Sequence, residues 1–154
     1  MTLPGVDGIV VREATSADLQ GASRLLEASR LPLHGVVEAF GHFVVAEEGG
    51  RLVGVAGLEV YGQDGVLRSV AVDPALRGRG VGARLSERVI ADARGAGLRR
   101  VYLLTTTAET YFPRHGFRII PREDAAPEVQ GSVEFREACP QSAIAMVLDL
   151  EAVG

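Results

Sequence analysis

The sequence predicts an α/β fold of the mixed α+β type, in which helices cover both faces of a central mixed sheet. Apolar segments separated by short turns fill residues 43–72, a pattern typical of an antiparallel meander. Amphipathic segments with helical spacing precede and follow that region, and three more apolar segments lie in the C-terminal third. The predicted order is β-α-β-β-β-α-β-α-β-β. No linker divides the 154 residues, so we expect a single domain over residues 1–154.

The first predicted elements are a strand over residues 9–11 and a helix from Thr15 to about residue 29. Thr15 and Asp18 have the spacing of a capping box, which marks the start of a helix. The apolar positions of the helix share one face, and they are Leu19, Ala22, Leu25 and Leu26. Residues 31–41 are compatible with either a short helix or a loop.

The predicted meander has strands over residues 43–46, 51–60 and 66–72, with turns at 47–50 and 62–65. Side chains alternate between the two faces of an extended strand. In the third strand, alternation places Arg68, Val70 and Val72 on one face and Leu67, Ser69 and Ala71 on the other.

A second helix is predicted to follow the meander and to end near residue 94, where Gly95 and Gly97 stop it. Its buried stripe contains Val81, Leu85, Val89 and Ile90. Strands are predicted over residues 100–104, 117–120 and 144–150. Thr107 is a candidate cap for a short helix through about residue 114, and residues 121–141 read as a long loop with a short helix.

Composition excludes several classes of function. The net charge of −4 argues against general nucleic-acid binding, which needs an excess of Lys and Arg. No apolar run approaches the roughly 20 residues of a membrane span, and the N-terminus lacks the pattern of a signal peptide. We therefore expect a cytoplasmic protein that binds neither nucleic acid nor membrane.

Metal and disulfide chemistry are not predicted. The three histidines, His34, His42 and His115, do not have the spacing of metal ligands. Cys139 is the single cysteine, which excludes a disulfide within the chain, and it is interpreted as a residue of the polar loop.

The most informative motif is a glycine-rich loop, Arg77-Gly78-Arg79-Gly80-Val81-Gly82, at the start of the second helix. Uncovered N–H groups at a helix start can hold an anion. Gly78, Gly80 and Ala83 also satisfy the dinucleotide pattern G-x-G-x-x-A. However, five residues separate the strand from the first glycine, and no acidic residue follows at the required distance. A phosphate-binding P-loop is excluded because no Gly-Lys-Ser/Thr is present.

This loop resembles the R/Q-x-x-G-x-G/A coenzyme A loop of the GNAT acyltransferase superfamily. The similarity extends to Leu67-x-x-Val70-x-Val72-x-Pro74 before the loop and to residues 108–117 after it. The resemblance implies the GNAT fold, acetyl-CoA as cosubstrate and an N-acetyltransferase activity. It implies that loop N–H groups hold the pyrophosphate and that the backbone of residues 70–72 pairs with the pantetheine arm. The implied cofactor-binding residues are Val70, Ala71, Val72, Arg77, Gly78, Arg79, Gly80, Val81, Gly82, Ala83 and Phe112.

A narrower resemblance is to the arsenic-resistance N-acetyltransferases. It is carried by residues 57–62, 67–69, 105–108 and 135–143. This branch implies direct acetylation of a small-molecule amine, such as an amino-acid-like toxin. The sequence leaves a monomer and a homodimer equally open.

Glu59 is the candidate general base, since it lies in an apolar strand and a carboxylate there could act through a water on the incoming ammonium. The alternative is an exposed glutamate on the sheet. Arg68 is a candidate substrate-binding residue, because a cation in a central strand needs an anionic partner. That partner is either a substrate carboxylate or Glu59 on a neighbouring strand.

The thiolate acid is harder to assign. Family members often carry a tyrosine there, in a pattern like A-x-x-F-Y-x-x-x-G-F, and Phe112 occupies that place here. Tyr111 is one residue early, about 100° around a helix, and is kept as the catalytic candidate. Thr105 stands where asparagine is common and is a candidate for substrate binding. A thiol with a pKa of ~8.5 is also a fair leaving group without an acid.

Two rival functions follow from these departures. An acyl-CoA-binding sensor without chemistry is favoured by Phe112. A protein or peptide N-acetyltransferase would need a peptide groove, for which the sequence gives no sign.

Overall fold

The computed structural model describes residues 8–31, 33, 35–105, 112–132, 135 and 143–150. Its strands are β1 (Ile9–Glu13), β2 (Phe43–Glu48), β3 (Arg51–Tyr61), β4 (Asp64–Val72), β5 (Arg100–Thr105), β6 (Arg118–Ile120) and β7 (Ile144–Asp149). Its α-helices are α1 (Leu19–Ala28), α2 (Val36–Ala39), α3 (Val81–Gly95) and α4 (Pro127–Gln130). Short 3-10 helices cover Ser16–Asp18, Phe40–His42, Pro74–Leu76, Phe112–His115 and Arg122–Asp124.

The strands form one mixed sheet in the order β1-β2-β3-β4-β5-β7-β6, flanked by helices, as the sequence predicts. The β1–β2 and β2–β3 pairs are antiparallel, and β2, β3 and β4 of the predicted meander are neighbours in the sheet. The β4–β5 pair is parallel, whereas β7 pairs antiparallel with both β5 and β6. The sequence does not predict that the last strand lies between β5 and β6.

Residue contacts group the chain into two compact units, the first within residues 1–58 and 69–91 and the second within 59–68 and 92–154. Strands β3 and β4 run through both. In the first unit, the predicted capping box of Thr15 and Asp18 is present. Its core joins α1 and α2 to the meander through Ala22, Leu26, Val36, Phe40, Phe43, Val45, Val55 and Ala71.

Helix α3 stabilises the edge strand of the first unit. Arg84 Nη1 donates to the carbonyl oxygen of Ile9 at 3.1 Å, and Arg88 Nη1 donates to that of Val11 at 3.4 Å. The predicted stripe of α3 is buried at Val81, Leu85 and Val89. Ile90 is half-buried.

The second unit has its own core, built where β5 and β7 meet the segment around α4. Its buried members are Val66, Tyr102, Leu104, Ala125, Val129, Phe135, Ala143, Ala145 and Val147. Tyr61 packs against this cluster.

Of the two alternatives left open for residues 31–41, the short helix is present as α2, and it enters a 3-10 turn. Two local expectations are corrected. The second turn of the meander is shorter than predicted, because Asp64 and Gly65 already belong to β4. Ser69 has φ +61, so uninterrupted alternation along β4 is wrong. A non-glycine residue in this conformation is sterically costly, and it interrupts the regular extended backbone of β4.

Candidate active site

The glycine loop is anchored by Asp73 at the end of β4. Asp73 Oδ1 accepts from the N–H of Ala75 at 2.9 Å, and Oδ2 pairs with Arg51 Nη1 at 2.9 Å. These two contacts, the backbone hydrogen bond first, lower the pKa of Asp73. The loop therefore begins from a fixed turn.

The loop backbone is exposed and uses glycine where its conformation requires it. Gly78 has φ +85 and Gly80 has φ +82, and a Cβ at either would have open space around it. The restriction at these two positions is therefore the backbone conformation, which side-chain-bearing residues rarely adopt. Gly82 differs, since a Cβ there would meet only Val72 Cγ2 at an ordinary 3.6 Å.

The start of α3 offers backbone donors. The N–H of Arg84 bonds the carbonyl of Gly80 at 3.1 Å. The N–H groups of Val81, Gly82 and Ala83 precede that bond, so the helix supplies no acceptor for them. Such a helix start favours a phosphate.

The predicted cofactor residues of the first unit lie in one stretch of chain. Ala71 is buried in the core, while Val70 and Val72 are half-buried. Arg77 is exposed, and its guanidinium donates to the Val72 carbonyl and to Ser29 Oγ, both at 3.4 Å. Arg79 is exposed beside it.

The second unit contains a buried pair of opposite charges. Arg68 Nη1 lies 2.6 Å from Glu59 Oε2, and the side chains are 0% and 7% exposed. Glu59 is thus not the exposed glutamate that the sequence left open, and its partner in this structure is Arg68. A buried ion pair of this kind compensates two charges that would otherwise be costly to bury.

Tyr61 joins this pair and was missed by sequence reasoning. Its hydroxyl donates to Glu59 Oε1 at 2.6 Å. Burial, then the hydrogen bond to Glu59, raises the pKa of Tyr61. The sequence does contain a signal that places Tyr61 beside Glu59. Residues i and i+2 of a strand share a face, and Glu59 and Tyr61 have this spacing in β3.

The remaining predicted site residues lie around β5 and the turn beyond it. Thr105 ends β5, is half-buried and pairs with Ile144. Phe112 is buried, and its ring meets Phe117 edge to face at 5.4 Å. Tyr111 lies outside the described residues, as do Cys139 and the predicted cap Thr107.

The model of the acetyltransferase (GNAT) family matches residues 10–117. This match covers β1 to the turn before β6 and includes the glycine loop. The chain belongs to the GNAT acetyltransferase family. This GNAT enzyme is therefore an acyltransferase that uses acetyl-CoA.

Relatives of this GNAT enzyme carry the name amino-acid acetyltransferase. One from Mycobacterium tuberculosis is 36% identical over 140 residues, covering 84% of this chain and 77% of the relative. One from Ralstonia nicotianae is 35% identical over 118 residues, covering 70% of this chain. The chain spans only 26% of that second protein.

Solved structures agree on the fold. One is a Mycobacterium tuberculosis protein in complex with CoA and NLQ, with a TM-score of 0.78 and 31% sequence identity. The match covers 91% of this chain and 98% of that protein. The N-acetylglutamate synthase of Neisseria gonorrhoeae, complexed with coenzyme A and N-acetyl-glutamate, has a TM-score of 0.79. This match covers 92% of our chain and 35% of the synthase. Because the sequence identity is 24%, the match supports the fold alone.

Within the described part of this GNAT chain, no three His, Cys, Asp or Glu side chains are arranged to hold a metal ion. Over the same residues, no helix has both the length and the apolar character that crossing a bilayer requires.

Proposed function

We propose that this enzyme transfers the acetyl group of acetyl-CoA directly to the α-amino group of a free amino acid. The observation that carries the substrate class is the 36% identity, over 84% of the chain, to a protein named amino-acid acetyltransferase. The Mycobacterium structure with CoA and NLQ, 31% identical over most of both chains, supports the cosubstrate.

The Glu59–Arg68 pair offers a chemical reason for this substrate class. A free amino acid carries an ammonium and a carboxylate a few bonds apart. Glu59 and Arg68 present the complementary charges side by side, and Arg is well suited to a carboxylate because it donates two parallel hydrogen bonds. A peptide or a polyamine lacks the adjacent α-carboxylate and would leave Arg68 without this second role.

The proposed reaction needs a neutral amine. Glu59 takes a proton from the substrate ammonium through a water, and the amine nitrogen then attacks the thioester carbonyl carbon. The C–N bond forms, the C–S bond breaks and the electron pair leaves with sulfur as the CoA thiolate, while the nitrogen loses its second proton to solvent and becomes the neutral amide. Solvent, or Tyr111 as the candidate acid, returns a proton to that sulfur. The free thiol has a pKa of ~8.5, so the departure does not depend on a strong acid.

An amino-acid-like toxin of the arsenic-resistance type is the second candidate acceptor. It is favoured by the residues that resemble that branch, including Glu59, Arg68 and Thr105. Both candidates share the α-amino acid group, so the same charged pair would serve either. They differ in the side chain of the acceptor.

The test is release of free CoA thiol from acetyl-CoA over a panel of amines. The panel contains glutamate, glutamine, other amino acids, arsinothricin-like and phosphinothricin-like compounds, polyamines and short peptides. We expect release with at least one free amino acid or toxin. The matched controls are the N-acetylated form, which should give no release, and the methyl ester, which should raise KM because it removes the carboxylate.

Two outcomes would contradict the proposal. Thiol release with peptides or polyamines alone would indicate another acceptor class. Binding of acetyl-CoA without release on any amine would favour a sensor.

A further inference from the structure

We propose that Tyr61 is a positioning residue that holds the Glu59 carboxylate. This inference rests on the proposed role of Glu59 as base. Tyr61, Glu59 and Arg68 all belong to the second unit.

The Glu59 carboxylate is held at both oxygens. Tyr61 donates to Oε1 and Arg68 donates to Oε2, each at 2.6 Å. Rotation of the carboxylate about its last bond would break both contacts. A donor on each side therefore restricts the carboxylate to one orientation, and short hydrogen bonds to a charged acceptor are among the stronger ones in proteins.

Tyr61 can act as a lasting donor. Burial and then the hydrogen bond to Glu59 raise the pKa of Tyr61, so its phenol keeps its proton. The charged groups that act on Tyr61 among the described residues are Glu59 and Arg68, with Glu59 the closer contact.

Ser132 is a buried hydroxyl of the same unit. It is 2% exposed, and its Oγ accepts from the N–H of Phe135 at 3.2 Å. Its effect on the pKa of Tyr61 is to lower it, and this is smaller than the opposing effects of burial and of Glu59.

The test compares Tyr61→Phe with Tyr102→Phe. Tyr102 is the matched control, since it is a buried tyrosine of the core cluster against which Tyr61 packs, and its substitution removes the same phenolic oxygen. Thermal unfolding of both variants establishes folding. Turnover and KM for acetyl-CoA are measured by thiol release. Carbon-13 NMR of the labelled Glu59 carboxyl at one neutral pH reports its hydrogen bonding without turnover.

We expect Tyr61→Phe to lower turnover about 10- to 100-fold, the rate equivalent of one hydrogen bond to a charged group. The KM for acetyl-CoA should stay within about twofold, since the glycine loop is unchanged. The carbon-13 chemical shift of the Glu59 carboxyl should change, because the carboxylate loses the Tyr61 donor. Tyr102→Phe should change neither turnover nor this chemical shift.

Wild-type turnover and a wild-type carboxyl chemical shift in Tyr61→Phe would overturn this inference. Equal changes in Tyr61→Phe and Tyr102→Phe would also overturn it, because they would report a general loss of packing. If the wild type releases no thiol with any amino acid, the proposed function fails by that result. The carboxyl chemical shift then still decides whether Tyr61 holds Glu59.

Discussion

At the scale of single residues, the contact between Glu59 and Arg68 has consequences for stability as well as for chemistry. Both side chains are almost fully buried and lie 2.6 Å apart. Removing one partner of a buried pair typically costs about 3–5 kcal/mol, because the other charge stays in an apolar surrounding. Replacing both with neutral side chains of similar volume is often tolerated. A single substitution at either residue therefore changes both the stability of the fold and the chemistry of the site.

We predict that Glu59→Gln lowers turnover, flattens its pH dependence and lowers the free energy of unfolding by about 3–5 kcal/mol. Acetyl-CoA affinity should change little. The double variant Glu59→Gln with Arg68→Met should regain most of the stability while remaining inactive. Denaturant unfolding and thiol release measure the two effects separately. An unchanged pH profile in the single variant would remove Glu59 from the mechanism.

At the scale of elements, some glycines of the loop and of α3 are required for the backbone conformation, and another is not. Gly78 and Gly80 require glycine for their backbone conformation, but Gly82 has room for a Cβ. Only a ligand close to the first turn of α3 would make a side chain at position 82 harmful. Gly82 is therefore the position where substitution tests the ligand alone.

We predict that Gly82→Ala weakens acetyl-CoA binding at least about tenfold without loss of stability, since Ala favours a helix over Gly by about 1 kcal/mol. Gly95→Ala is the matched control at the other end of α3, where a Cβ meets nothing within 4 Å. It should leave affinity unchanged. Calorimetric titration and thermal unfolding give both quantities, and wild-type affinity in Gly82→Ala would contradict the loop assignment.

At the scale of the whole molecule, the Asp18 carboxylate of the first unit contributes to stability in acid. Asp18 accepts from Arg12 Nη1 at 2.8 Å and from Nη2 at 3.0 Å, and it accepts from the N–H of Thr15. The Arg12 hydrogen bonds, with Thr15 adding to them, lower the pKa of Asp18 from 3.8 to about 2. A lowered pKa means that the folded state favours the charged form, so this stability is present above pH 4 and is lost as the pH falls towards 2.

We predict that Asp18→Asn lowers the free energy of unfolding at neutral pH by about 2 kcal/mol. It should also flatten the pH dependence of stability between about pH 4 and pH 2. Asp149→Asn is the control, because Asp149 forms an exposed ion pair with Arg118 at 3.4 Å, and such pairs contribute little. Urea unfolding across this pH range measures both variants. An equal loss in the two would show that Asp18 has no special role.

Most of the element order was predictable because the signals that start and end each element lie close together in the sequence. The capping box of Thr15 and Asp18, the stripe of α3 and the glycine turns each depend on residues a few positions apart. The loop also identified coenzyme A as the ligand class, since its residues are contiguous in the chain. The spacing of Glu59 and Tyr61 was local too, and it could have placed both on one face of β3.

The sequence by itself determined the family, the cosubstrate and the candidates Glu59 and Arg68. Only the tertiary structure decided that these two side chains are partners, that β7 lies between β5 and β6, and that Ser69 interrupts the alternation of β4. Strand pairing and side-chain contacts between distant segments depend on packing, which local propensity and spacing do not contain.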